Sequence, residues 1–174
     1  QEKALLDYVE GGGAFVPVHC ASYCFLNSPR YIALVGAQFL RHARGEFETK
    51  VVDPSHPIMK GLPAIWLHVN AEPYGALRGP GKNMTVRATA HSDPKNHGTG
   101  HDEPMVRVLR YGKGRIFHTT LGHDVFAMSC VGFMTIFQRG TEWAATGKVT
   151  QKVPATFPTE KTVSYRVDIA EMDP

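Results

Sequence analysis

The 174-residue chain is poor in cysteine, in net charge and in long apolar runs, and each shortage removes a class of protein. Three cysteines, Cys20, Cys24 and Cys130, are too few and odd in number for a disulfide framework. Cys20 and Cys24 are close enough in sequence to pair or share a metal, but buried or half-buried thiols are the ordinary reading. Net charge is only +3. The basic residues are scattered, with no stripe of Lys and Arg interleaved with aromatics, so no nucleic acid is expected as partner. No apolar run approaches the ~18 residues of a membrane span. No Gly-x-Gly-x-x-Gly follows a strand into a helix, so no nucleotide cofactor is expected. Zinc-protease and kinase motifs, internal repeats and low-complexity tracts are missing as well.

What is present is enough apolar residue (43%) for one domain with a core. Leu5, Leu6 and Val9 share a face and predict a helix over 2–10, stopped by Gly11-Gly12-Gly13. Residues 14–19 form an apolar run without alternation, the pattern of a strand covered on both faces in a parallel sheet. Pro17 fits only near its end. Ser28-Pro29 announces a helix, with Ser as N-cap. Strands are expected over 46–52, 65–69 and 85–90, and a long polar loop over 91–104. Residues 105–110 and 115–119 flank Tyr111-Gly112-Lys113-Gly114, a hairpin signal. A helix over 131–145 ends at Gly147. Residues 148–174 read as a tail or linker, strand-like only at 163–169. Alternating helix and buried strand implies an α/β sheet, mostly parallel. A doubly wound sheet that opens on a helix lacks its earlier strands, so the N-terminal part of the domain is expected to be missing from this chain.

Ligands of open α/β sheets bind beyond the carboxyl ends of strands, and His19 and His123 stand at two such ends. Two imidazoles with a carboxylate can bind a metal or exchange protons near neutral pH. Each candidate has a plainer alternative. His19 would otherwise bond the sheet rim, and His123 would assist the start of the last helix. His42 would sit at a helix end favoured by the dipole. Glu72 would be a solvated carboxylate in a polar turn, and Tyr74 a packing residue. His56 reads as turn chemistry. The glycines between His97 and His101 argue against a helical ligand pair, and Asn83-Met84-Thr85 is a chance glycosylation triplet.

Several segments, taken in order, resemble the ThuA family, named for trehalose utilisation. They are Gly11-Gly12-Gly13 through His19-Cys20-Ala21; Gly36-Ala37-Gln38-Phe39 with His42; Asp53-Pro54-Ser55-His56-Pro57-Ile58 with Gly61-Leu62-Pro63; and Asn70-Ala71-Glu72-Pro73-Tyr74. Tyr111-Gly112-Lys113-Gly114-Arg115-Ile116-Phe117, running into Leu121-Gly122-His123-Asp124, carries the strongest signature. Gly140-Thr141-Glu142-Trp143-Ala144-Ala145 closes the set. Asn70 and His118 depart from the usual family residues.

The resemblance implies a flavodoxin-like, class I glutamine amidotransferase-like three-layer sandwich. Residues 1–147 would form the C-terminal two-thirds of a ThuA-like domain. It also implies a bacterial protein, of cytoplasm or periplasm, acting on a keto-sugar or disaccharide. The catalytic residues would be His19, His123 and Glu72, with His42, Tyr74, Cys20 and Asp124 binding substrate. One divalent metal (Zn, Mn or Ni) would sit on His19, His42 and His123. In the amidotransferases a nucleophilic Cys follows the strand; here His19 takes that place and Cys20 is one residue off, on the other side of an extended chain, so glutamine hydrolysis is disfavoured. The alternative is a non-catalytic carbohydrate-binding or scaffolding domain, beside other domains of a larger chain or in a homo-oligomer.

Overall fold

Leu6 and Val9 bury one face of helix α1 (Glu2–Glu10), as their spacing requires. The computed structural model describes residues 1–170; of the expected tail, residues 171–174 lie outside the described residues. After α1 the chain forms β1 (Ala14–Phe15) and a tight 3₁₀ turn over His19–Tyr23. The strand expected over 14–19 is therefore much shorter, because Pro17 has no N–H to donate. Only Val18 returns to the sheet, as an isolated parallel bridge to Thr119. Helix α2 (Pro29–Val35) begins where predicted, the Ser28 hydroxyl accepting the Tyr31 N–H at 3.1 Å. It stops at Gly36, whose φ of +88° suits glycine.

Strands β2 (Arg41–His42), β3 (Gly45–Val51), β4 (Ile65–Ala71), β5 (Tyr74–Gly75), β6 (Met84–His91), β7 (Asp102–Tyr111) and β8 (Gly114–Thr119) follow. Helices α3 (Val125–Ser129), α4 (Val131–Thr146) and the short α5 (Val167–Ala170) complete the described chain. The loop expected over 91–104 is present over residues 92–101; only its ends are strand, since β6 extends to His91 and β7 starts at Asp102. Residues 163–169 supply α5 and a bridge from Tyr165 to Cys130, not a strand.

Six strands form one sheet in the order β1-β8-β7-β6-β3-β4, and β2 pairs with β5 in a separate ribbon. The expectation of a mostly parallel sheet is corrected. Only β1–β8 is parallel; β8–β7, β7–β6, β6–β3 and β3–β4 are antiparallel. The connections explain this. Gly112-Lys113 between β7 and β8 is a two-residue turn, which can only reverse the chain. Residues 92–101 and 52–64 likewise carry no crossover helix. The long excursion from β1 to β8 has room for a parallel return and makes one, whereas that from β3 to β6 ends antiparallel.

Helices cover both faces. Ile116 and Leu109 pack under α1 and α2 with Leu6, Val9, Tyr31 and Leu34, while Phe117, Val106 and Val108 face α4 through Ile136 and Trp143. Neighbouring residues Ile116 and Phe117 thus feed opposite layers, as a pleated strand dictates. Residues 148–170 are laid against the domain. Phe157 packs edge-on to Trp66 at 5.5 Å, the Leu67 N–H donates to Thr159 O at 2.8 Å, and the Val131 N–H to Ser164 O at 2.8 Å. The buried Arg139 guanidinium donates to the carbonyls of Pro57, Ile58, Lys60 and Gln151, joining α4 to both flanking loops.

Candidate functional site

Because β1 and β8 are parallel neighbours, the residues that follow them emerge side by side. His19 and His123 stand with ring centroids 5.1 Å apart. Strand β4 runs in the same sense as β8, so Glu72, just beyond its end, belongs to the same rim. Four strand spacings separate β8 from β4, about 19 Å in a flat sheet. Yet Glu72 Oε2 lies 3.1 Å from His123 Nε2 and 3.8 Å from His19 Nε2. Only a strongly curled sheet closes that gap. The β2–β5 ribbon adds the rest, since its register sets His42 opposite Tyr74. His42 Nε2 is 3.7 Å from Glu72 Oε1, and the Tyr74 ring is 4.1 Å from that of His19.

Each imidazole is held from behind. His19 Nδ1 is 2.6 Å from Thr120 O, and His42 Nδ1 is 2.9 Å from Ala43 O. A carbonyl only accepts, so Nδ1 carries the proton and Nε2 of the neutral ring is a bare lone pair. His123 Nδ1 meets the Asp124 carboxylate at 3.2 Å. Asp124 is itself fixed as N-cap of α3 by the Ala127 N–H at 2.7 Å. Arg44 grips the other side of Glu72, its Nη2 2.6 Å and its Nε 3.1 Å from Oε1. That leaves Oε2 to His19 and His123.

Backbone strain marks the same place. His19 has φ of +42°, a conformation that costs a non-glycine residue on the order of 1–3 kcal/mol and tends to occur at functional sites. Burial pushes the His19 pKa down, and His123 and His42 add to this; the Thr120 carbonyl and Glu72 oppose it. His19 is therefore neutral at neutral pH. Burial also raises the Tyr74 phenol, beside Cys20 and Glu72. Partial burial would raise the Asp124 carboxyl, but the Ala127 N–H and His123 outweigh it and hold the group below its usual range.

The structure thus gathers His19, His42, Glu72, Tyr74 and His123, with Asp124 behind. Cys20 sits exposed on the same 3₁₀ turn as His19, outside the close-set group of His19, Glu72 and His123. Cys20 and Cys24 are both free thiols. Three of the plainer alternatives change. The last expected helix, α4, begins after Cys130 rather than at His123, and His42 lies on a strand rather than at a helix end. Glu72 is nearly buried, with 10% of its side chain exposed. His56 does serve its turn, accepting the Ile58 N–H at 3.3 Å. Arg44 was missed among the scattered basic residues. Its signal was the pair His42 and Arg44, two apart in an extended segment and so on one side. Phe39, whose ring lies 4.4 Å from Tyr74, was legible only within a motif.

The sequence model of the ThuA family, described as trehalose utilisation, matches residues 1–144. A ThuA-like protein from Parabacteroides merdae superposes with a TM-score of 0.91 at 37% identity, over 97% of this chain and 73% of its own. A second, from Bacteroides uniformis, gives 0.65 at 21% identity over 84% of this chain and 65% of its own, so the chain spans just under two thirds of that relative. A β-galactosidase from Bacillus circulans shares the fold alone: TM-score 0.53, 12% identity, 88% of this chain against 22% of that one. No curated protein matches the chain.

Proposed function

The chain belongs to the ThuA family, and from that premise we propose that its domain acts on a carbohydrate bearing a carbonyl group, a keto-sugar or an oxidised disaccharide. The observation that carries this reading is the convergence of three imidazole Nε2 atoms on the single Glu72 carboxylate at the sheet rim. In this reading His42 moves the proton at the carbon beside the carbonyl. About a third of its side chain is exposed, and Ala43 O holds its ring with the lone pair on Nε2. His19, Glu72 and His123 form the inner wall against which the carbonyl oxygen lies. Tyr74 and Phe39 offer aromatic surface to the apolar face of the sugar ring. A positioned general base contributes roughly 10²–10⁴ in rate. Glutamine amidotransferase chemistry is not part of the reading, because His19 occupies the strained turn position and Cys20 lies outside the group.

The test is exchange of solvent deuterium into keto-sugars and keto-disaccharides, followed by NMR. Exchange should be seen with the parent and fall at least ~100-fold in His42→Ala and Glu72→Gln. A second reading, a non-catalytic carbohydrate-binding or scaffolding domain, is favoured by the fold's occurrence as 22% of a much longer β-galactosidase chain. Sugar binding without exchange, unaltered in both variants, would establish that reading instead.

A further inference from the structure

The inner wall of the site has bases in excess. His19 Nε2, His42 Nε2 and both Glu72 oxygens meet there, and among the described residues only the Arg44 guanidinium is paired with that carboxylate as a permanent cation. Lone pairs brought together out of water repel one another unless a proton or a metal lies between them. We propose that His19 Nε2, His123 Nε2 and Glu72 Oε2 bind one divalent transition-metal cation. The inference deepens the carbohydrate reading and shares its site, but the binding itself rests on the donor geometry.

Three features carry it. The first is the anchoring behind the rings. Metal-binding histidines usually donate their other N–H to a carbonyl or carboxylate, which fixes tautomer and direction. Here Thr120 O takes Nδ1 of His19 at 2.6 Å, and the Asp124 carboxylate takes Nδ1 of His123 at 3.2 Å. The second is spacing. Donors about 2.0–2.1 Å from a tetrahedral zinc lie about 3.3 Å from one another. Glu72 Oε2 is 3.1 Å from one Nε2 and 3.8 Å from the other, and all three donor atoms fall within 4.8 Å. The third is the division of the carboxylate. Arg44 holds Oε1 through two N–H groups, so Oε2 is presented alone, as a single-oxygen ligand.

Two imidazoles and one carboxylate form a three-ligand set that leaves a position open, the pattern of catalytic rather than structural zinc. His123 is the more accessible ligand, about a third of its side chain being exposed, whereas His19 is nearly buried. A sugar carbonyl or hydroxyl oxygen would take that position, and the cation would supply the positive charge that an oxyanion needs there. His42, which is not in the close-set group, remains free to move the proton.

The experiment uses the full chain, stripped with EDTA and titrated with Zn²⁺, then Mn²⁺ and Ni²⁺, by calorimetry and elemental analysis. One equivalent of Zn²⁺ should bind and raise the melting temperature. His123→Asn and Glu72→Gln, checked for folding by circular dichroism, should lose both effects. Asp124→Asn keeps the cap and removes the charge behind His123, so it should weaken Zn²⁺ about 10–100-fold. A folded parent that binds no Zn²⁺, Mn²⁺ or Ni²⁺ overturns the proposal, as does Zn²⁺ binding unchanged in His123→Asn and Glu72→Gln. The two readings fail separately. Deuterium exchange by a folded parent that binds no metal sinks the metal and keeps the sugar reading. Stoichiometric metal in a protein inert to every keto-sugar does the reverse.

Discussion

Mild acid should destabilise the domain through His68, and the size of the effect follows from its surroundings. His68 lies on β4, fully buried, with Nδ1 3.1 Å from the Cys130 sulfur, and Nε2 has no hydrogen-bond partner among the described residues. Burial pushes its pKa from 6.5 down to about 3, with Asp124 opposing only weakly. The unfolded chain therefore takes up a proton near pH 6.5 that the folded chain refuses until about pH 3. Above pH 6.5 both states are neutral here and nothing is lost. Below it the unfolded state binds more protons, and stability falls by about 1.4 kcal/mol per pH unit. Between pH 6.5 and pH 5 this amounts to about 2 kcal/mol.

His19, His56 and His118 are depressed as well and act in the same direction. The clean measurement is therefore a difference. Urea unfolding, read by tryptophan fluorescence, is compared for the parent and His68→Leu at pH 7 and pH 5. Relative to the parent, His68→Leu should gain about 2 kcal/mol on going to the lower pH, whatever its offset at pH 7. An unfolding free-energy difference that is the same at both pH values would refute the argument.

Two further substitutions probe the packing of the layers. A Cβ at Gly140 would run into the buried Phe117 ring beneath α4. Ala should gain about 1 kcal/mol of helix propensity there but lose about 1–3 kcal/mol to overpacking. Gly140→Ala is thus expected to melt lower; a higher melting temperature would show that the ring can yield. Phe157→Ala removes the side chain that seals Trp66 and should cost about 3 kcal/mol in urea. Unchanged stability would mean that residues 148–170 are not part of the cooperative unit.

Features set by local rules were the ones legible beforehand. Ser28 caps α2 and Gly147, at φ of +78°, ends α4 as expected, because capping needs only a hydroxyl or a missing Cβ at the right position. The β7–β8 hairpin was announced by its glycines. The direction of the other strands was not, because an apolar run such as residues 65–69 reads the same in a buried antiparallel sheet as in a parallel one. The segment after Gly147 read as a linker because it is polar and proline-containing; its docking rests on scattered apolar side chains such as Phe157 and on backbone hydrogen bonds such as Leu67 N–H to Thr159 O, which form no periodic pattern.

The sequence by itself determined where the chemistry-bearing residues fall along the chain: His19 and His123 after strands, Glu72 after another, and the ordered motifs that place them in one family. Whether they meet was a tertiary decision. The parallel pairing of β1 with β8 sets the two imidazoles side by side, and the curl of the sheet carries Glu72 across four strand spacings to within 3.1 Å of His123. Periodicity records which face of an element is buried, but not how far a sheet bends or which carbonyl, such as Thr120 O, waits behind a ring. Those depend on contacts between residues a hundred positions apart, and only the folded chain brings them into reach.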